Sequence, residues 1–324
     1  MLRAFIQNGA GKLAILLATT TLLWWHAFAA PTQAVLYDGF SPLYEWIYNL
    51  LSPHPFLCTT LALLLTIMEG IVLCSILSNH HLLSQNTLLP LFFYMVAMSF
   101  HPTQQTLTPA LLVNLFTLLA AAQLMHSHNS TLPLSNLFNG ALFTSMATLC
   151  YLPSITLFIP LVVVLILYRL YRWRHWMVLL LGLLAPFILL FVIYFMTNQL
   201  DYALFLMGND VSRLDLSLGT PKTLHMVDDA LLAVLLLIAL AKLLANNGGV
   251  TNDMRIKRSI LLLPLLANLF MLLDDVLLPL NTQLIAMPFA FAATTYALGL
   301  KRHSWMMGAT MAALVLLGAI NSII

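Results

Sequence analysis

Charge is what this chain has least of. Of 324 residues only 7% are Asp, Glu, Lys or Arg, against 61% hydrophobic, whereas a soluble domain carries roughly a quarter charged residues. That scarcity excludes a soluble globular domain. It also excludes a basic surface long enough for nucleic acid. Cysteine is equally sparse: Cys58, Cys74 and Cys150 fall in or beside apolar runs without metal-ligand spacing, so neither a disulfide framework nor a zinc site is expected. Their reading is as small apolar packing residues. No G-x-S-x-G elbow, P-loop, dinucleotide fingerprint or H-E-x-x-H helix is present, and hydrolase or nucleotide-driven chemistry has no footing.

What is present is a sequence of long apolar runs with the few charges sorted between them. Arg3 and Lys12 precede the first run, 13–30, and the stretch 31–54 after it has no Lys or Arg but holds Asp38 and Glu45. Arg169, Arg172 and Arg174 form one cationic cluster, Arg255, Lys257 and Arg258 a second, Lys301 and Arg302 a third. Between them lie Asp201, Asp210, Asp215, Asp228 and Asp229, then Asp274 and Asp275. Short loops rich in Lys and Arg stay cytoplasmic, so the acidic stretches are expected to face outward.

A hydrocarbon core of about 30 Å needs roughly 20 apolar residues as helix, or fewer where a segment is shielded. That ruler gives spans near 13–30, 55–78, 88–100, 110–125, 137–152, 155–169, 177–198, 229–245, 259–273, 282–300 and 304–321. With the N-terminus inside, alternation of these 11 spans puts every cationic cluster on the inner side. The expected fold class is therefore an all-α integral membrane protein, one polytopic helical bundle over 1–324 with outer loops near 31–54 and 199–229. The run 88–100 and the pair around Pro153 are short for a crossing, and such pieces survive when buried among other helices or lining a cavity. Gly140, Ala141, Ser145 and Ala147 give the helix before Pro153 a face suited to close packing. The first run, with Arg3, Lys12 and Ala27-Phe28-Ala29, also resembles a signal peptide; the Trp24-Trp25 pair, Pro31 and the span count favour a retained helix. Leu-Leu-Val-Asn-Leu-Phe at 111–116 and Leu-Leu-Ala-Asn-Leu-Phe at 265–270 are too short in so leucine-rich a chain to establish a repeat.

Candidate chemistry lies on the outward side. Asp38 and Glu45 are seven apart, two helical turns, and would share a face if their segment is helical. Tyr37, Phe40, Tyr44, Trp46 and Tyr48 surround them, a composition that suits a sugar or lipid headgroup and equally an interfacial helix with its acids in water. Arg213 and Lys222 are the two cations of the long outer loop. They could bind a lipid phosphate or pair with Asp210 and Asp215. Glu69 falls inside the second span, where a carboxylate is costly and a functional candidate; it could be a neutral packing acid or a partner for Lys242. The histidines His80, His81, His126 and His128 read as solvated residues of inner loops, with His54, His101 and His225 outside.

In layout the chain resembles the GT-C class of membrane glycosyltransferases, and within it a family of bacterial inner-membrane proteins of about this length. The resemblance covers most of residues 1–200. It is carried by the first helix, the acidic aromatic loop YDGFSPLYEW, the short spans with Pro109-Ala-Leu-Leu-Val-Asn, the Phe138-Asn-Gly-Ala-Leu-Phe helix entering Leu-Cys-Tyr-Leu-Pro, and the basic loop YRLYRWRHW. It implies a catalytic carboxylate at Asp38, with Glu45 second, and a donor sugar on a polyprenyl phosphate whose phosphate would meet Arg213, Lys222 or a divalent cation. The two acids stand seven apart here, whereas many active members keep them together. The implied location is the bacterial inner membrane, multi-pass, with membrane lipids and other envelope proteins as partners. A non-catalytic scaffold of the same fold and a transporter dependent on Glu69 remain the alternatives.

Overall fold

In the computed structural model, described over residues 9–36, 41–83, 85, 87–127, 133–212, 234–241, 252–271, 283–299 and 304–321, the chain is helical with no strand among those residues. The helices are α1 (Gly9–Ala29), α2 (Pro42–Leu51), α3 (Pro55–Asn79), α4 (Leu89–Met98), α5 (Pro109–Ser127), α6 (Pro133–Cys150), α7 (Phe158–Leu167), α8 (Trp173–Met196), α9 (Leu200–Ser212), α10 (Asn252–Met271), α11 (Ala286–Gly299) and α12 (Ser304–Asn321), with 3₁₀ turns at Pro102–Gln104 and Leu152–Leu157. Three of them, α3, α5 and α8, are long and apolar enough to cross a membrane, which identifies a membrane protein. Proline opens several helices: Pro42, Pro55, Pro109 and Pro133 stand at first positions. There the missing N–H is no loss and φ is already helical.

Apolar runs and helices overlap wherever both can be compared, with boundaries shifted by several residues, two of them for plain physical reasons. The run 155–169 is not one rod; Pro153 and Pro160 leave a 3₁₀ turn followed by the ten-residue α7. The helix read from 259 starts at Asn252, because a hydropathy ruler stops at the charges whereas α10 carries Arg255, Lys257 and Arg258 in its first turns.

Burial divides the helices sharply. All ten residues of α4 are buried, between α3 and α11. At 1.5 Å per residue it is about 15 Å long, half a hydrocarbon thickness, so its ends finish inside protein. Gly70 of α3 permits this fit, since a Cβ there would run into the Leu91 side chain. By contrast α8 buries only His175, Leu179, Gly182 and Pro186, one stripe at spacings of four, three and four. The stripe meets α6: a Cβ on Gly182 would stand 2.7 Å from the Phe138 carbonyl oxygen and 2.8 Å from Ala141 Cβ. Ser145 Oγ donates to the Leu183 carbonyl at 2.8 Å, near the rung that Pro186 cannot complete. Of the small residues expected to form one packing face on α6, Ala141 and Ser145 seat α8, whereas Gly140 packs against Leu124 of α5.

Three helices end on a left-handed residue that is not glycine: His81 (φ 52°), Arg169 (φ 56°) and Asn198 (φ 58°). Each closes the same motif. After α7, Leu170 N–H reaches the Leu165 carbonyl and Arg169 N–H the Ile166 carbonyl, both at 3.0 Å, which satisfies carbonyls the helix itself leaves open.

Two ends of the bundle can be told apart by what meets there. Val35, Tyr44 and Leu107 meet at one, hereafter the aromatic end. His80, His126, Asp253 and Lys257 meet at the other, the cationic end.

Candidate functional site

The aromatic end is organised by α2. Its sequence Pro-Leu-Tyr-Glu-Trp-Ile-Tyr-Asn-Leu-Leu is amphipathic: Tyr44 is 1% exposed, while Trp46 and Leu50 stand out at 72% and 67%, the habit of a helix lying in a membrane interface. The Tyr44 hydroxyl donates to the Val35 carbonyl and lies 3.0 Å from that of Leu107. Val35 N–H donates to the same Leu107 carbonyl at 3.1 Å. Burial, then the neighbouring Cys58 and Tyr48, hold the Tyr44 phenol above its usual range, so it serves as a fixed donor. These bonds clamp α2 to the segment between α4 and α5.

Glu45, half-buried on this helix, lies within electrostatic reach of the Tyr194 phenol near the end of α8. Tyr202 of α9 acts on the same phenol. The wall is apolar: Leu43 of α2, Leu149 of α6, Tyr194 of α8 and Ala203, Leu206 and Met207 of α9 form one cluster. An acid, two phenols and an apolar floor therefore share one corner. Asp201, in the first turn of α9, is exposed. The tyrosines were not legible as site residues, because they lie about 150 positions from Glu45 and only α6 and α8 packing brings them together.

Of the candidates read from sequence, Glu45 is the one within this corner. Asp38, Arg213 and Lys222 lie outside the described residues, as does Lys242; Arg213 is the residue next in the chain after α9 ends at Ser212. Among the described residues no three His, Cys, Asp or Glu come together to hold a metal ion.

Behind the corner lies a second polar feature, buried and neutral. Thr108 Oγ1 donates to Gln283 Oε1 at 2.7 Å, Gln283 Nε2 to the Gln104 carbonyl at 3.2 Å, and Asn114 Nδ2 to the Gln283 carbonyl at 2.8 Å. Gln105 Nε2 donates to the Leu23 and Ser99 carbonyls, and Trp24 Nε1 to Ser99 Oγ at 2.8 Å. Irregular backbone at 99–108 is thus wrapped by protein except around Thr103, which is exposed, and its buried polar groups find protein partners as apolar surroundings require. His101, expected in solvent, is 2% exposed within this wrapping.

Glu69 is completely buried in α3, and Tyr94 of α4 donates to its Oε2 at 2.6 Å; Oε1 has no protein partner. The phenol, absent from the sequence reading, is its neighbour across the α3–α4 contact.

At the cationic end His81 and His126 are exposed, as expected, whereas His80 is half-buried. The His80 and His126 rings pack with centroids 4.8 Å apart, beside the Asp253–Lys257 ion pair at 2.7 Å. Burial, then the Lys257 ammonium and the His126 ring, push the His80 imidazole down to about 4, against the opposing pull of Asp253.

Comparison with protein-family profiles, with curated proteins and with solved structures finds no match to the chain.

Proposed function

We propose that the protein is a multi-pass inner-membrane protein of GT-C-like organisation, its N-terminus cytoplasmic and about 11 segments crossing. It works at the aromatic, outward end, transferring a sugar from a polyprenyl-phosphate donor. The observation that supports this is the corner in which Glu45 of α2 lies within electrostatic reach of Tyr194, which Tyr202 also acts on, over an apolar floor shared with α9. Phenol rings and a carboxylate suit a sugar's hydroxyls and faces, and the apolar floor suits a lipid carrier entering from the membrane.

Asp38, seven residues before Glu45, takes the proton of the acceptor hydroxyl as that oxygen attacks the anomeric carbon. The bond from that carbon to the phosphate oxygen breaks, and the electron pair leaves with the polyprenyl phosphate. Arg213 and Lys222 meet the phosphate charge, Arg with its fork of donors. Displacement in one step inverts the anomeric centre. Glu45, with Tyr194, orients the sugar. A general base is worth roughly 10²–10⁴-fold in rate. The Asp38→Asn protein should therefore insert and purify like the parent yet fail to complement a deletion strain, with Glu45→Gln the milder. Full complementation by the double variant would replace the enzyme with a non-catalytic scaffold of the same fold, one that positions a lipid or an envelope partner.

A further inference from the structure

The turn between α7 and α8 lies at the cationic end, where Asp253 acts electrostatically on Tyr168. Its conformation is fixed from within. Arg169 is left-handed, the Arg169 and Leu170 N–H groups close the end of α7, and Tyr168 and Leu170 pack on the core. With those two side chains held inward, Arg169, Tyr171, Arg172, Trp173 and Arg174 are all exposed. Among the described residues none of the three guanidinium groups pairs with a carboxylate; the Asp253 carboxylate is bound to Lys257.

The start of α8 adds to this positive charge. A helix N-terminus carries about half a positive charge, ordinarily offset by Asp or Glu in the first turn or by a capping oxygen. Here the first turn has no acid, and Arg172 at the cap position makes no side-chain bond to it. Three guanidinium groups and a helix N-terminus therefore repel one another with no protein anion between them. An arriving phosphate would remove that repulsion.

Below the cations the surface is hydrocarbon. Trp173, Met177, Leu181, Leu184 and Ile188 follow spacings of four, four, three and four, and each is more than half exposed. They form the face of α8 opposite its buried stripe of His175, Leu179, Gly182 and Pro186. At 1.5 Å per residue this outer stripe is about 22 Å long, more than the ~15 Å depth of one leaflet. Arg172 and Arg174 flank Trp173 at its head, about 100° round the axis to either side.

We propose that the α7–α8 turn and the outer stripe of α8 bind an anionic phospholipid. The phosphate oxygens accept from Arg172 and Arg174, Arg169 adds to the positive potential, and one acyl chain lies along Trp173 to Ile188. Guanidinium forks match phosphate oxygens, and cations beside a membrane span gain from anionic lipid. A zwitterionic headgroup offers the same phosphate but brings a cation that the arginines repel. The exposed Trp173 and Tyr171 are rings of the kind that settle at headgroup level, and the continuous stripe beneath them chooses a lipid over a free anion. The proposal rests on α8 lying in a membrane and not on sugar transfer, so either can fail alone.

The test uses the full-length protein in neutral detergent and native mass spectrometry, with three probes: phosphatidylglycerol, phosphatidylcholine and glycerol 3-phosphate. Phosphatidylglycerol should be retained about tenfold more tightly than phosphatidylcholine, the scale of one or two cations acting on an anionic headgroup, and glycerol 3-phosphate should not be retained. Replacing both flanking residues, Arg172→Gln with Arg174→Gln, should bring the two lipids to parity. Arg172→Lys with Arg174→Lys, which keeps the charge and loses the fork, should restore part of the preference. Melting midpoints without lipid report whether each variant is folded; should the double Gln variant unfold, the two single Gln variants are read in its place, each lowering the preference. Equal retention of the two lipids by the parent would overturn the proposal, as would a preference untouched in folded Gln variants. Retention of glycerol 3-phosphate as tightly as the lipid would overturn the role of the stripe and leave a plain anion site.

Discussion

At the aromatic end Gln283, fully buried, ties Thr108, Gln104 and Asn114 together through neutral hydrogen bonds. At the cationic end the corresponding joint is an ion pair, with Asp253 still 36% exposed, beside two packed histidines. A neutral amide out of water is indifferent to salt and pH, and each lost partner leaves a dry, unsatisfied group. A charged joint near water contributes less and responds to both. The end that holds irregular backbone has the joint that cannot be tuned; the end with regular helix termini has the one that can.

The largest effect should follow from breaking the neutral joint. Gln283→Ala strands the Thr108 hydroxyl and the Gln104 carbonyl and leaves a void, together about 2–5 kcal/mol. The melting midpoint in detergent should fall sharply and equally in low and high salt. A loss that salt relieves would show that the two ends do not differ in kind.

Overpacking comes next. Gly182→Ala pushes a Cβ against the Phe138 carbonyl oxygen, and misfit of this kind costs about 1–3 kcal/mol. The α6–α8 seam should loosen, raising proteolysis or cross-linking between those helices; an unchanged midpoint would mean the seam yields easily.

Glu69 tests whether a carboxyl can serve in a neutral joint. Glu69→Gln should keep expression and phenotype, because an amide oxygen can still accept from Tyr94. Tyr94→Phe should cost more, about 1–3 kcal/mol, by leaving both acid oxygens without a protein donor. Loss of phenotype with an intact fold in Glu69→Gln would favour a proton-coupled transporter.

Much of this was legible in advance. Apolar runs located the helices, prolines such as Pro55 and Pro109 marked their starts, and Ala141 and Ser145 announced a packing face. Cross-helix partners were not legible. Tyr94 lies 25 residues from Glu69, and no local pattern distinguishes it from the other aromatic residues nearby; Lys242 was as plausible. Gln283 meets Thr108 over a separation of 175 residues. Glu45 was singled out for its charge, whereas Tyr194 and Tyr202 carried no signal in the sequence and came into view only with α8 and α9 in place.

The cationic end should show its own signature in pH. The folded His80 imidazole sits at about 4 against an ordinary 6.5, so the unfolded chain takes up the proton first. Stability should therefore fall as pH drops from about 6.5 toward 4, and be regained as pH rises. His80→Asn should flatten that slope without touching Gln283-dependent stability; identical slopes would remove His80 from the account of this end. The smallest change is expected at a helix end: Arg169→Gly relieves a left-handed residue and should stabilise by up to about 1 kcal/mol, read as a small rise in midpoint.

Mass spectrometry of the polyprenyl-phosphate pool tests the functional claim most directly, in cells carrying the parent, the Asp38→Asn protein or neither. Sugar transfer at the aromatic end predicts that one glycosylated polyprenyl phosphate accumulates without the protein, accumulates equally with Asp38→Asn, and is drawn down by the parent. A pool identical in all three would contradict it.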